Sequence, residues 1–347
     1  MRVAITTVQV PFVSGGAELH ASGLRQAIID AGHEAEIVRV PFKWYPAPTI
    51  PQQILACRLL DLTESMGTRI DRVIGLKFPA YLIPHPNKVL WILHQHRGAY
   101  DMWDQHWGDL YGTPGGAEAR DVIRSADIKL IPEARRIFAN SRNVAARLRR
   151  FNGIDAEPLY HPPPLAERYH SGPLGEYLLM PSRFNATKRQ SLVVEALALT
   201  RHPVHVVFIG GADDVVLAEG VMAKAGTMAP GRAQWLGSVS DALKIELLSE
   251  ALAVLVPPLD EDYGYVALEA MLSSRAIITC TDSGGPLEFV EHGRNGLVCD
   301  PEPAALAEAM DAVWADRKRA KLLGEEGLAH YRTLGLTWEH AVQCLLD

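Results

Sequence analysis

The stretch Leu255–Met271 reads LVPPLDEDYGYVALEAM. The apolar run Ala253–Val256 leads into Pro257-Pro258, two residues that neither continue a central strand nor enter a helix interior. The acidic loop Asp260-Glu261-Asp262 follows, Tyr263-Gly264 closes it, and the pattern from Val266 to Ser273 predicts a helix carrying Glu269. Strand, loop and helix in that order form half of a βαβ unit. Glu261 sits at the strand's carboxyl end and Glu269 about one turn into the helix. Two carboxylates so placed can accept hydrogen bonds from several hydroxyls of one polyhydroxylated ligand. Taken in isolation, the same residues would serve equally as a solvated acidic loop beside a surface glutamate.

The same rhythm extends outward. Toward the C-terminus it predicts strands at Ala276–Cys280 and Leu297–Cys299 and a helix at Pro303–Trp314. Toward the N-terminus it predicts strands at Tyr177–Met180, Val204–Ile209 and Gln234–Leu236, with helices at Gln190–Leu199, Asp214–Ala225 and Asp241–Glu250. Alternating strands and helices imply a mostly parallel sheet covered on both faces. The rhythm breaks at Tyr160–Leu165, YHPPPL, whose three prolines form a stiff extended connector. Before it a second series appears: a strand at Val3–Ile5 that stops at Thr6-Thr7, a helix from Glu18 to Ala31 ended by Gly32, and strands at Ala35–Val40, Arg72–Leu76, Val89–Leu93 and Ile137–Ala139. The expected organisation is an N-terminal domain over residues 1–165, a C-terminal domain over 166–330, and a final helix in 331–347.

A length of 347 residues suits two such domains, and 48% apolar composition suffices for two cores. The net charge of -7 gives no reason to expect a nucleic-acid partner. Cys57, Cys280, Cys299 and Cys344 show no metal-ligand or redox-motif spacing, which suits a reducing cytoplasm. The first apolar run is too short for a signal peptide or a membrane span. A cytoplasmic protein, at most peripheral to a membrane, is expected.

Four further stretches carry chemistry. MPSRFNATK (Met180–Lys188) places Arg183 and Lys188 in a loop after a strand, a fork and a point charge suited to a diphosphate, with Arg189 adjoining. VSGGAE (Val13–Glu18) joins the first strand to the first helix, where Gly15 and Gly16 let backbone N–H groups approach a phosphate. The G-x-G-x-x-G spacing of a dinucleotide site is missing, which argues against a dehydrogenase. VLWILHQHRGAYDMWD (Val89–Asp104) delivers His94, His96 and Arg97 at a strand's carboxyl end, with Tyr100 and Asp101 beyond. No acidic or cysteine partner stands at metal-ligand spacing from His94 and His96, so no metal is expected. TDSGGPLE (Thr281–Glu288) places Ser283, Gly284 and Gly285 at another strand end, with Pro286 suited to a first helical position.

The spacing of Glu261 and Glu269 resembles the Glu–seven residues–Glu signature of retaining family-4 glycosyltransferases, the group 1 glycosyltransferases of GT-B fold. That family often has Glu-Gly-Phe-Gly around the first glutamate; this chain has Glu261-Asp262-Tyr263-Gly264, so Asp262 adds a charge. The resemblance implies an α/β architecture of two doubly wound Rossmann-like domains facing a deep cleft. It implies that Glu261 contacts a donor sugar and Glu269 the nucleotide ribose. Arg183 and Lys188 would neutralise the leaving diphosphate, and Gly15 and Gly16 would face that diphosphate from the other domain. Tyr263, Gly264, Tyr265 and Val266 would lie along the donor. A histidine near the transferred sugar is implied at His94, with His96 as the alternative. The final helix, within Thr337–Leu346, would cross back to the first domain.

The implied function is transfer of a sugar from a UDP- or GDP-type donor to a glycan, glycolipid or small-molecule hydroxyl, with retention, no cofactor and no essential metal. The alternatives are a catalytically silent relative that binds nucleotide or a partner, and a nucleotide-sugar epimerase. Between Arg120 and Arg150 nine basic residues stand against three acidic ones, Asp121, Asp127 and Glu133. That stretch is either a solvated helix face or a peripheral contact for an anionic membrane surface.

Overall fold

The computed structural model describes residues 1–12, 15–105 and 108–347; Val13 and Ser14 of the glycine loop lie outside the described residues. The chain divides into two compact units, Met1–Pro164 with Leu336–Asp347, and Leu165–Gly335.

The first unit contains β1 (Arg2–Gln9), β2 (Glu34–Pro41), a two-stranded hairpin of β3 (Glu64–Ser65) and β4 (Thr68–Arg69), β5 (Arg72–Lys77), β6 (Lys88–His94), β7 (Arg136–Ala139) and β8 (Glu157–Pro158). All but the hairpin form one parallel sheet in the order β2-β1-β5-β6-β7-β8. The strand order reverses between β1 and β5, so loops following these strands flank a switch point, where doubly wound sheets bind ligands. β1 runs on through Thr6 and Thr7, where the sequence pattern had it stop. Both threonines are buried, and their β-branched side chains fit a covered strand as well as valine does.

The final helix, Trp338–Leu346, packs onto this first sheet. Its Val342 and Leu345 join Ile5, Leu24 and Trp91 in one core cluster. Each such buried side chain contributes roughly 1.5–3 kcal/mol. The Arg72 guanidinium donates to the Leu345 carbonyl at 2.7 Å, tying β5 to the last turn. The connector is anchored in the same place. His161 is buried, accepts or donates across 2.9 Å to His20, and stacks on Trp338 at 5.1 Å. Burial holds both imidazoles below the ordinary histidine range, His161 at about 4.

The second unit contains β9 (Leu178–Pro181), β10 (Val206–Ile209), β11 (Ala233–Trp235), β12 (Ala253–Val256), β13 (Ala276–Cys280) and β14 (Gly296–Cys299). These strands are all parallel, in the order β11-β10-β9-β12-β13-β14. β9, β10, β12 and β13 are buried along their whole length, as expected for a sheet covered on both faces. The switch point lies between β9 and β12. The loops leaving these two strands carry Arg183 with Lys188, and Asp260 with Glu261.

Among the described residues, no helix is long and apolar enough to cross a membrane.

Candidate functional site

Backbone hydrogen bonds knit the strand-end loops of the second unit together. Leu259 N–H donates to the Thr187 carbonyl at 2.7 Å, joining the loop after β12 to the loop after β9. Asp260 and Glu261 N–H donate to the carbonyls of Asp282 and Ser283, both at 2.9 Å, and Gly285 N–H donates back to Glu261 at 2.8 Å. This stitching needs glycines. A Cβ on Gly285 would stand 2.4 Å from the Tyr263 carbonyl oxygen. Gly264 has φ +94°, and a Cβ there would meet Pro286 at 2.8 Å.

On that frame three cations each meet a carboxylate. Lys188 Nζ donates to Glu261 Oε2, and both side chains are about three-quarters buried. Arg183 donates to Asp213 at 2.8 Å, and Asn185 donates to the other oxygen of the same carboxylate at 3.1 Å. Arg189 grips Asp282 through two parallel bonds of 2.7 and 2.6 Å. That bidentate pair braces the Thr281–Gly285 turn. It gives Arg189 a structural partner, whereas Lys188 meets the acidic loop itself through Glu261. Asp213 and Asp282 carry no sequence signal of this role; their partners are distant in the chain, and only the fold brings them in.

The helix Tyr265–Leu272 starts at Gly264 with no side-chain cap. Its first turn, with Tyr265 and Val266, is therefore a backbone N–H surface that favours an anion. Tyr263 directs its ring into the core, edge-on to Tyr265 at 5.4 Å and to Phe289 at 5.7 Å. Glu269 is only 3% exposed. Its Oε1 accepts from Lys244 Nζ at 2.6 Å. The Tyr169 and Tyr265 phenols lie close by; burial first, then the Glu269 charge, pushes both well above the ordinary tyrosine range. The Tyr169 phenol also hydrogen-bonds the Glu269 carboxylate, while Oε2 is buried with no donor at full hydrogen-bond geometry.

The remaining candidates belong to the first unit. Gly15 and Gly16 lie at the start of the helix Gly16–Asp30, and Gly15 N–H donates to the Glu18 side chain at 2.8 Å. One of the loop's backbone donors is thus met by an internal carboxylate. His94 ends β6, is half-buried, and places Nδ1 2.6 Å from the Gln95 carbonyl. His96 differs sharply. It is buried edge-on against Phe78 at 5.5 Å and Phe42 at 6.3 Å, with Nε2 3.8 Å from Asp109. Burial pulls its pKa below the ordinary value, and Asp109 opposes that shift. His96 is packed as core, and His94 is the more accessible of the two.

Arg97 is held by Asp101 at 2.9 and 2.6 Å. Tyr100 is core: its hydroxyl donates to Asp127 at 2.7 Å, and Tyr81 donates to the other oxygen at 2.9 Å. Burial pushes Asp127 up to about 7. Asp127 therefore does not balance the basic stretch at the surface. Within that stretch Arg147 is buried as well, and Arg120 lies 4.2 Å over the Trp103 ring. Glu133 serves Arg58 and Lys88. Among the described residues no three His, Cys, Asp or Glu side chains gather in a metal-ligand arrangement.

Two parallel-sheet units, with charged loops at the second switch point, define the class as a GT-B protein. Solved structures of that fold cover nearly the whole chain. A sucrose-phosphate synthase from Thermosynechococcus elongatus superposes with a TM-score of 0.79 at 16% identity, over 99% of this chain and 97% of its own. Anabaena HepE, solved in complex with UDP and glucose, superposes with a TM-score of 0.73 at 16% identity, over 100% and 98%. Residues 172–330 match the family described as Glycosyl transferases group 1. Human alpha-1,3/1,6-mannosyltransferase ALG2 is 32% identical over 171 residues, 45% of this chain and 40% of the relative. The D-inositol 3-phosphate glycosyltransferase of Nocardia farcinica is 28% identical over 242 residues, 63% of this chain and 53% of the relative. The chain thus spans about half or less of the length of these curated relatives.

Proposed function

We propose that the chain is a glycosyltransferase that moves a sugar from a UDP- or GDP-type nucleotide sugar to a hydroxyl acceptor, with retention of configuration and no essential metal. The observation that carries this reading is the assembly at the second switch point: Lys188 on Glu261, beside an uncapped helix start, with the buried Glu269 one turn further along. Donor recognition would divide among these groups. Glu269 takes the ribose, the helix start and the Arg183 and Lys188 cations take the diphosphate, and Glu261 takes a sugar hydroxyl. The anomeric C–O bond to the diphosphate breaks and the acceptor oxygen forms the new bond, while the acceptor proton leaves with the diphosphate oxygen. Charge grows on the leaving group, so the cations act in the transition state more than in the ground state. Lys188 is held by Glu261 before the donor arrives, and the phosphate oxygens would draw it across.

The acceptor class in this reading is a glycan, a glycolipid or a small molecule. His94 is the first-unit residue we assign to the transferred sugar. The exposed arginines of the helix Arg142–Asn152, Arg142, Arg149 and Arg150, would supply the peripheral contact with an anionic membrane surface.

The test is a thermal-shift screen against UDP, GDP and ADP and their common sugar conjugates, with and without EDTA. Ligand at about 100 times its Kd adds roughly 2.7 kcal/mol of stability. Selective stabilisation by one nucleoside diphosphate, unchanged by EDTA, is the expected outcome. Absence of any shift across the panel refutes the donor reading.

A further inference from the structure

The Glu–seven residues–Glu spacing marks two carboxylates and says nothing of a cation at the second one. A carboxylate as deeply buried as Glu269 is costly unless paired. Lys244 supplies the pair from the neighbouring helix Asp241–Glu250, with Nζ 2.6 Å from Oε1. That helix is fixed in place: Ser240 caps its first turn through a 3.3 Å bond from Leu243 N–H, and Ile245 and Leu248 are buried. The lysine side chain keeps about a quarter of its surface exposed, whereas Glu269 keeps 4%.

The pair is asymmetric in hydrogen-bonding capacity. An ammonium has three donors, and one meets Glu269 Oε1. Oε2 of the same carboxylate is buried with no donor at full hydrogen-bond geometry, and the Tyr169 phenol is the other group that hydrogen-bonds this carboxylate. A ribose hydroxyl both donates and accepts, so one hydroxyl can donate to Oε2 while a neighbouring hydroxyl oxygen accepts from the ammonium. A carboxylate alone can serve only the first contact.

We propose that Lys244 is a specificity residue for the nucleoside: it holds Glu269 through Oε1, leaving Oε2 to accept from one ribose hydroxyl, and donates directly to the neighbouring one, so that lysine and glutamate together read the vicinal diol. This rests on the nucleotide-sugar reading of the site and goes further by adding a contacting residue on a different helix.

The experiment is calorimetric titration of UDP and GDP, each beside its 2′-deoxy and 2′,3′-dideoxy forms, into the full chain carrying Lys244→Met, Lys244→Arg or Glu269→Gln. The wild type is expected to prefer the ribose form by about tenfold or more, the scale of a buried polar group left unpaired. Lys244→Met should bind the ribose form about tenfold more weakly and discriminate it from the dideoxy form by less than about threefold. Lys244→Arg should recover most of the preference, because the guanidinium keeps both the charge and spare donors. Should Lys244→Met unfold through the stranded carboxylate, the double variant Lys244→Met/Glu269→Gln removes that charge. Compared with Glu269→Gln alone, it should lose the remaining diol preference. Full ribose preference in Lys244→Met, or identical preferences in the double variant and Glu269→Gln, overturns the role of Lys244 while leaving the donor site intact. Failure of the wild type to bind any nucleoside diphosphate overturns both.

Discussion

At the switch point of the second sheet Lys188, Arg183 and Arg189 each meet a carboxylate. The carboxyl ends of β1 and β6 in the first unit present Gly15, Gly16 and a half-buried His94, with one ion pair, Arg97 on Asp101, just beyond β6. The two sheets share a topology, one strand order reversing about its first strand, but they spend their polar groups differently. In the second unit the charges stand at the strand ends, where a diphosphate would meet them. In the first unit the strongly perturbed groups are internal: Asp127 under Tyr81 and Tyr100, and the histidine pair beneath Trp91 and Trp338. The lesson is that one architecture supports two kinds of site.

The comparison breaks first at Lys188. If the second switch point stabilises a leaving diphosphate, Lys188→Ala should lower kcat by about 100-fold or more with a much smaller change in nucleotide Kd. A rise in Kd with kcat intact would make Lys188 a ground-state binding residue instead. Glu269→Ala should do the opposite, weakening nucleoside diphosphate binding by about 10- to 100-fold in direct titration, as loss of a charge-assisted hydrogen bond allows. Equal kinetics for both variants would erase the distinction drawn within the second unit.

In the first unit the sharper test concerns pH. Asp127 titrates near 7 in the folded protein, whereas an unfolded aspartate titrates near 4. Between those values the folded state holds the extra proton, so the stabilisation present below pH 4 is lost as pH rises toward and through 7. Asp127→Asn, which mimics the protonated acid, should flatten that slope in urea denaturation followed from pH 5 to pH 8. A slope equal to the wild type's would show that Asp127 is not the group responsible. The smallest effect is expected at the surface. Arg149→Glu with Arg150→Glu should reduce co-sedimentation with anionic vesicles several-fold at low salt, since each basic residue near such a surface contributes about 1 kcal/mol. Absence of vesicle binding by the wild type at low salt would remove the membrane contact from the reading.

The sequence by itself determined the two sheets, because covered parallel strands are written as unbroken apolar runs and their ends as Gly, Pro and acidic breaks. It determined the second-unit candidates for the same reason: Arg183, Lys188, Glu261 and Glu269 all follow strands that are legible as strands. Only the tertiary structure decided who pairs with whom. Glu261 meets Lys188 from 73 positions away, Arg189 meets Asp282 from 93, and Glu269 meets Lys244 from a separate helix. Hydrogen-bonded partners at such separations leave no periodicity in the chain. The same cause hid Asp127, which reads as one solvated charge among many in a basic stretch and is in fact enclosed by two tyrosines. It also hid the contrast between His94 and His96. They stand two positions apart, and their separation into an accessible and a buried ring depends on Phe42 and Phe78, which the fold brings in from two other segments.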